Sequence, residues 1–149
     1  MRAVVQRVLW ARCVVDGEVV GQCGVGYLVL VGAGRESTDA EAVKLADRVA
    51  GMRVMSDADG KLNLALTDLE PAELPAVLVV SNFTLYGDAY VSRRPSFTGA
   101  AGYEEGKRLY EVFVGALEAR LGRVSAGVFG ADMKIESVAD GPVTMLLGV

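Results

Sequence analysis

The 149-residue sequence predicts an α+β fold, an antiparallel or mixed β-sheet, open or closed into a barrel, that carries two helices. Three observations lead there. Short apolar runs bounded by Gly, Asp and Pro recur along the chain, as strands do. Two longer stretches change to helical spacing. The strands group around these helices without the regular βαβ alternation of a parallel α/β sheet. The length suits one domain spanning residues 1–149, and an apolar share of 52% is enough for one sizeable core.

Ala3 to Val8 alternates weakly and continues to Val14-Val15. Asp16-Gly17 separates this run from Glu18-Val19-Val20 and predicts a hairpin, because both central residues tolerate positive φ. Tyr27 to Val31 is continuously apolar and suits a central strand covered on both faces. Thr38-Asp39-Ala40-Glu41 is a capping-box pattern, and Ala42, Leu45, Ala46, Val49 and Met52 share one face of the helix it opens. Met52 to Met55 reads as a short strand, 56–60 as a tight turn, Leu62 and Leu64 as resumed alternation, and Glu70 to Leu74, with Pro71 and Pro75, as loop. Ala76 to Val80 is a second buried strand running directly into Ser81. A second helix is expected over Tyr103 to Leu121, with Leu109, Val112, Phe113, Ala116 and Leu117 inward and Gly122 as its stop. Strands near Met133–Val138 and Val143–Val149, joined by Asp140-Gly141-Pro142, close the chain.

Charge and composition narrow the chemistry. The net charge of -4 argues against a general nucleic-acid binder, DNA included, so any RNA contact must be local. There is no histidine, which removes Ser-His-Asp and Cys-His catalysis in cis and any His-ligated zinc. The carboxylates show no metal-cage spacing, and no metal or cofactor is expected. Cys13 and Cys23 lack CxxC spacing and read as a reduced, intracellular pair. With no signal peptide and no apolar run of the ~20 residues a membrane span needs, the chain reads as soluble and cytoplasmic.

Four segments are candidates for function. Ser81-Asn82-Phe83-Thr84 comes directly after a buried strand, where hydroxyls and amide N–H groups can converge on a ligand; the alternative is that Ser81 and Thr84 merely satisfy a turn. Gly141-Pro142 reads either as a hairpin turn or, with a cis bond, as carbonyls turned into a pocket. Arg93-Arg94 and Lys107-Arg108 could take phosphates or simply be solvated surface. Gly24-x-Gly26 and Gly32-x-Gly34 lack a phosphate-loop context and read as turns.

Ser81-Asn82-Phe83-Thr84-Leu85 and Ala139-Asp140-Gly141-Pro142-Val143-Thr144 are similar to the S-Q-F-T-L and N-x-G-P-V-T motifs of D-aminoacyl-tRNA deacylases. Val5-Gln6-Arg7-Val8, Arg53-Val54-Met55-Ser56-Asp57, Arg94-Pro95-Ser96-Phe97 and Phe129-Gly130-Ala131-Asp132-Met133 extend the resemblance over essentially the whole chain. It implies that family's fold and a homodimer that hydrolyses the ester linking a D-amino acid, or glycine, to the tRNA 3′ adenosine. Each subunit's cis Gly141-Pro142 would enter its partner's site and exclude L-amino acids with main-chain carbonyls. Ser81, Phe83 and Thr84 would be catalytic, with backbone N–H groups as oxyanion donors, and Asn82, Ala131, Met133, Gly141 and Pro142 would bind substrate. Apart from the resemblance, Arg93, Arg94, Lys107 and Arg108 are the local cations that could touch tRNA. The substrate's 2′-hydroxyl would help activate water, with Thr84 as nucleophile the rival route. Two positions depart from the motifs: Asn82 replaces Gln and Ala139 replaces Asn. A related L-alanine-editing deacylase and a non-catalytic dimer binding the tRNA acceptor end are the alternatives.

Overall fold

A computed structural model describes residues 1–70, 72–90 and 92–149. Its elements in chain order are β1 (Arg2–Val15), β2 (Glu18–Cys23), β3 (Gly26–Gly32), α1 (Asp39–Ala50), β4 (Met55–Ser56), β5 (Leu62–Leu64), β6 (Val77–Ser81), α2 (Tyr103–Leu121), β7 (Ser125–Ala126) and β8 (Lys134–Gly148). Strand order β2-β1-β3-β6-β7 forms a mixed sheet, antiparallel from β2 to β3 and parallel across β3-β6-β7. β8 runs antiparallel along the other edge of β1. The sheet curls until its ends nearly meet: the Gln22 N–H of β2 donates to Ser125 Oγ of β7 at 2.9 Å. The expected mixed, barrel-like sheet with two helices is what forms.

The turns explain the curl. Asp16 and Gly17 both take positive φ, at 51° and 86°, as a type I′ hairpin requires. β1 is long enough to pair with β3 over its first half and β2 over its second. One face of the sheet packs Val5, Tyr27, Val29, Val77 and Val79 against Leu45 and Val49 of α1 and Leu109, Phe113 and Leu117 of α2. The inner face closes over Ala11, Cys13, Cys23, Leu28, Leu78 and Val80. Thr38 and Glu41 form the reciprocal capping box at the start of α1. Gly122, at φ 78°, ends α2.

Three expectations need correction. Residues 52–54 are not a strand, because their polar groups go elsewhere: Tyr27 Oη donates to Met52 O at 3.0 Å and Arg7 Nη1 to Val54 O at 2.9 Å. The two C-terminal strands are one, because β1 pairs with both halves. Asp140-Gly141-Pro142 is therefore a bulge inside β8, not a hairpin. Gly32 is not a turn glycine, since it ends β3, whereas Gly34 bridges to Ala100 and opens the expected turn, its carbonyl accepting the Ser37 N–H at 3.1 Å. Of the expected 70–74 loop, Pro71 lies outside the described residues.

Candidate active site

β6 delivers Ser81 as its last paired residue, opposite Val31 of β3. The Asn82 N–H still donates to Val31 O at 2.8 Å, and the chain then tightens into a helical turn, Phe83–Tyr86. Asn82 caps this turn. Its Oδ1 accepts the Thr84 N–H at 3.2 Å and also the Thr84 hydroxyl. The first N–H of the turn, on Phe83, has no intrahelical acceptor by its position. The whole segment lies against the end of β3 and the residues just past it because two glycines there lack side chains. A Cβ on Gly32 would sit 2.6 Å from Asn82 O, and one on Gly34 would sit 2.6 Å from the Tyr86 ring.

Ser81, Asn82 and Phe83 line a cavity of ≈ 450 Å³. Its other walls come from Gly102, Tyr103, Gly106 and Tyr110 at the start of α2, and from Phe129, Gly130, Ala131 and Met133. Phe129 meets Tyr103 edge-on at 5.3 Å and Tyr110 at 5.7 Å, making one wall aromatic. Tyr110 is tied down by its hydroxyl, which donates to Val79 O at 3.0 Å; burial pushes that phenol well above its usual range. Gly130 takes φ 79° and passes so close to Tyr103 that a Cβ would fall 2.9 Å from the ring. The site thus combines small backbone-exposing residues with flat aromatic surface and contains no imidazole, carboxylate or thiol.

Gly141-Pro142 is elsewhere. The peptide is cis and exposed in the bulge of β8, and neither residue lines the cavity of its own chain. The bulge is held by Arg7, the one buried charged side chain among the described residues. Arg7 Nε reaches Asp140 Oδ2 at 2.9 Å and Asp140 O at 3.3 Å, while Nη1 takes Val54 O and Ser56 Oγ. Sequence reasoning did not single out Arg7 as functional, although a signal exists. It comes after Ala3 and Val5 on the inward-facing alternation of β1, where an arginine needs partners. Tyr103, Tyr110 and Phe129 were also missed, since aromatics on a helix face and in a loop look like packing.

The structure therefore brings Ser81, Asn82, Phe83, Ala131 and Met133 into one cavity, with Thr84 exposed beside it and bonded to Asn82. Of the proposed tRNA contacts, Arg108 lies 2.7 Å from both Asp39 Oδ1 and Glu105 Oε1, and Lys107 faces Glu111 at 4.0 Å. Arg93 and Arg94 are exposed and pair with no carboxylate among the described residues. Among those residues no group of three or more Cys, Asp or Glu side chains is arranged to hold a metal, and no helix is long and apolar enough to cross a membrane.

Comparison with known proteins gives a consistent result. Residues 4–148 match the family model described as D-Tyr-tRNA(Tyr) deacylase. A D-aminoacyl-tRNA deacylase of Anaeromyxobacter dehalogenans is 50% identical over 147 residues, covering 99% of this chain and 96% of that protein. One of Symbiobacterium thermophilum is also 50% identical, with 99% and 95% covered. Among solved structures, a c-Myc DNA Unwinding Element Binding Protein superposes with TM-score 0.90 at 33% identity, covering 100% and 99% of the two chains. A probable eukaryotic D-amino acid tRNA deacylase superposes with TM-score 0.80 at 18% identity, covering 98% and 97%, and so supports the fold alone.

Proposed function

The chain belongs to the D-Tyr-tRNA(Tyr) deacylase family, and on that premise we propose that it hydrolyses the ester between a D-amino acid, or glycine, and the tRNA 3′ adenosine. Water adds to the ester carbonyl, and the products are the amino acid and tRNA with a free 3′-hydroxyl. The reading rests on one observation above the others: a cavity of ≈ 450 Å³ sets the start of the turn Phe83–Tyr86 beside an aromatic wall, with no histidine anywhere in the chain. An aminoacyl ester is already activated, so orientation and an oxyanion donor are the main requirements. The Phe83 N–H is the donor left open by the turn's geometry. The Thr84 N–H is occupied by Asn82 until something displaces it. A preorganised donor of this kind contributes ~2.7–4 kcal/mol to transition-state stabilisation in acyl transfer.

The same bonding pattern bears on the nucleophile. The Thr84 hydroxyl bonds to Asn82 Oδ1 and no base stands beside it, which favours activation of water by the substrate's own 2′-hydroxyl. Thr84→Ala is then expected to retain measurable deacylation, while a 2′-deoxy terminal adenosine abolishes it. Chiral selection is assigned to Gly141-Pro142 of a second copy. Exposed on its own chain and rigidly held through Arg7, that segment would enter the neighbouring cavity of a homodimer and block an L-side chain with backbone carbonyls. The protein would do this in the cytoplasm, where aminoacyl-tRNA is found.

Incubation with D-Tyr-tRNA, L-Tyr-tRNA and L-Ala-tRNA tests the proposal. Release of D-tyrosine far ahead of the other two is the expected outcome. Preferential release of L-alanine would replace it with the L-alanine-editing reading, and binding without turnover with the non-catalytic one.

A further inference from the structure

The segment from Gly87 to Phe97 takes no part in the chemistry just described, yet it is rooted at the lip of the cavity. Asp88 and Ser96 exchange both backbone hydrogen bonds at 2.8 Å. Below them the Phe97 ring meets Phe83 edge-on, with centroids 5.2 Å apart, and Phe83 lines the cavity. Gly87 lies against the same ring, so closely that a Cβ would fall 2.8 Å from it. The root is therefore packed and hydrogen-bonded.

Beyond the root, Ala89, Tyr90 and Ser92 to Pro95 are exposed. Tyr90 is 98% exposed, against 79% for Leu146, the next most exposed large hydrophobic side chain among the described residues. Its backbone is tied to the root by one bond, the Tyr90 N–H donating to Asp88 Oδ1 at 3.0 Å. The Arg94 N–H donates likewise to Ser92 Oγ at 3.1 Å. Charge singles out the same place. The other adjacent cations, Lys107 and Arg108, face Glu111, Asp39 and Glu105, whereas Arg93 and Arg94 have no carboxylate partner among the described residues. In a chain of net charge -4, this leaves one aromatic ring and two unneutralised guanidinium groups on a loop whose root packs on the cavity-lining Phe83.

We propose that Tyr90, Arg93 and Arg94 form a docking surface for the unpaired nucleotides immediately upstream of the terminal adenosine, with Tyr90 stacking on a base and the two arginines pairing with phosphates. An aromatic face flanked by cations is how proteins grip single-stranded nucleic acid without reading its sequence. That suits a segment shared by every tRNA. A protein partner is the weaker fit, because an interface centre needs several clustered apolar groups and this tip presents one ring between like charges. The proposal rests on the deacylase reading only for the identity of the RNA end.

The test compares D-tyrosyl-tRNA with D-tyrosyl-adenosine, which carries the ester and the terminal nucleoside but no upstream nucleotides. Tyr90→Ala is expected to raise KM for the tRNA by about tenfold more than it raises KM for the short substrate, and Tyr90→Trp to restore it. Arg93→Ser with Arg94→Ser should also flatten the plot of log KM against log salt by about 1.4, since each single-strand phosphate contact contributes about 0.7. Equal effects on the two substrates, or none, would overturn the surface while leaving the deacylase intact. If neither substrate is cleaved the deacylase reading fails; fluorescence anisotropy with uncharged tRNA then decides the surface alone, and equal affinities of the wild-type and Tyr90→Ala proteins would refute it.

Discussion

Residue 32 shows how strictly the site depends on an absent atom. A methyl group there would lie 2.6 Å from the carbonyl oxygen of Asn82, which is main chain at the end of a central strand and has no rotamer to retreat into. Gly32→Ala must therefore push β3 and the Ser81-Asn82 segment apart. Overpacking of this kind costs ~1–3 kcal/mol, and here the displaced atoms adjoin the proposed oxyanion donor, the Phe83 N–H. The expected result is a lower urea midpoint together with a fall in kcat larger than the change in KM. A normal kcat in a destabilised variant would separate Gly32 from the chemistry. Asn82 belongs to the same few ångströms. One methylene shorter than the family's glutamine, it caps its own turn through Oδ1, a local contact that a sequence cannot distinguish from an ordinary polar loop residue.

Among the elements, β8 was the least legible in the sequence, and it holds the segment to which chiral selection is proposed. Periodicity placed β1, β3, β6 and both helices correctly because each shows its apolar face within its own residues. The bulge at 140–143 has no such local mark: it exists because β1 pairs with both halves of β8 and skips four residues opposite Arg7. Its anchor is equally non-local, since Arg7 joins Val54 and Ser56, 47 and 49 positions further along the chain, to Asp140, 133 positions along. The Ser81-to-Phe83 half of the site was readable from one strand and the polar residues at its end, whereas the aromatic wall required knowing that α2 and Phe129 converge. The anchor carries a prediction for Arg7→Met. This change removes the charge-assisted bonds that fix the bulge while keeping comparable volume, and hydrogen bonds to charged groups contribute ~1.5–3 kcal/mol each. The D-over-L ratio of kcat/KM should fall in this variant even where Gly32 and the cavity are intact. An unchanged ratio would mean that the bulge holds its shape without Arg7.

At the scale of the whole molecule, two buried phenols tie the layers together, Tyr27 through Met52 O and Tyr110 through Val79 O. Burial raises Tyr27 from 10.0 to about 12, so its neutral form is favoured in the folded state. Its contribution to stability is therefore intact below the unfolded value of 10.0 and is lost as pH rises through the folded value of about 12. Urea midpoints should accordingly hold steady to about pH 9 and fall above about pH 10. The other prediction at this scale concerns where the two halves of the site meet. Gly141 and Pro142 do not line the cavity of their own chain, so a working site in the proposed dimer takes its cavity from one copy and its bulge from the other. Ala131→Trp fills the cavity and leaves the bulge untouched. Gly141→Ala distorts the bulge, because φ 119° is unfavourable for a side chain and the new Cβ would lie 2.8 Å from Val143 Cγ2. Each variant alone should be inactive. Mixed in equal amounts and allowed to exchange subunits, half of the dimers are heterodimers, and each of these joins one intact cavity to one intact bulge. Recovery of about a quarter of wild-type activity is then expected, since one of two sites works in half of the population. If the bulge served its own chain, every site in the mixture would carry one defect and no activity would return.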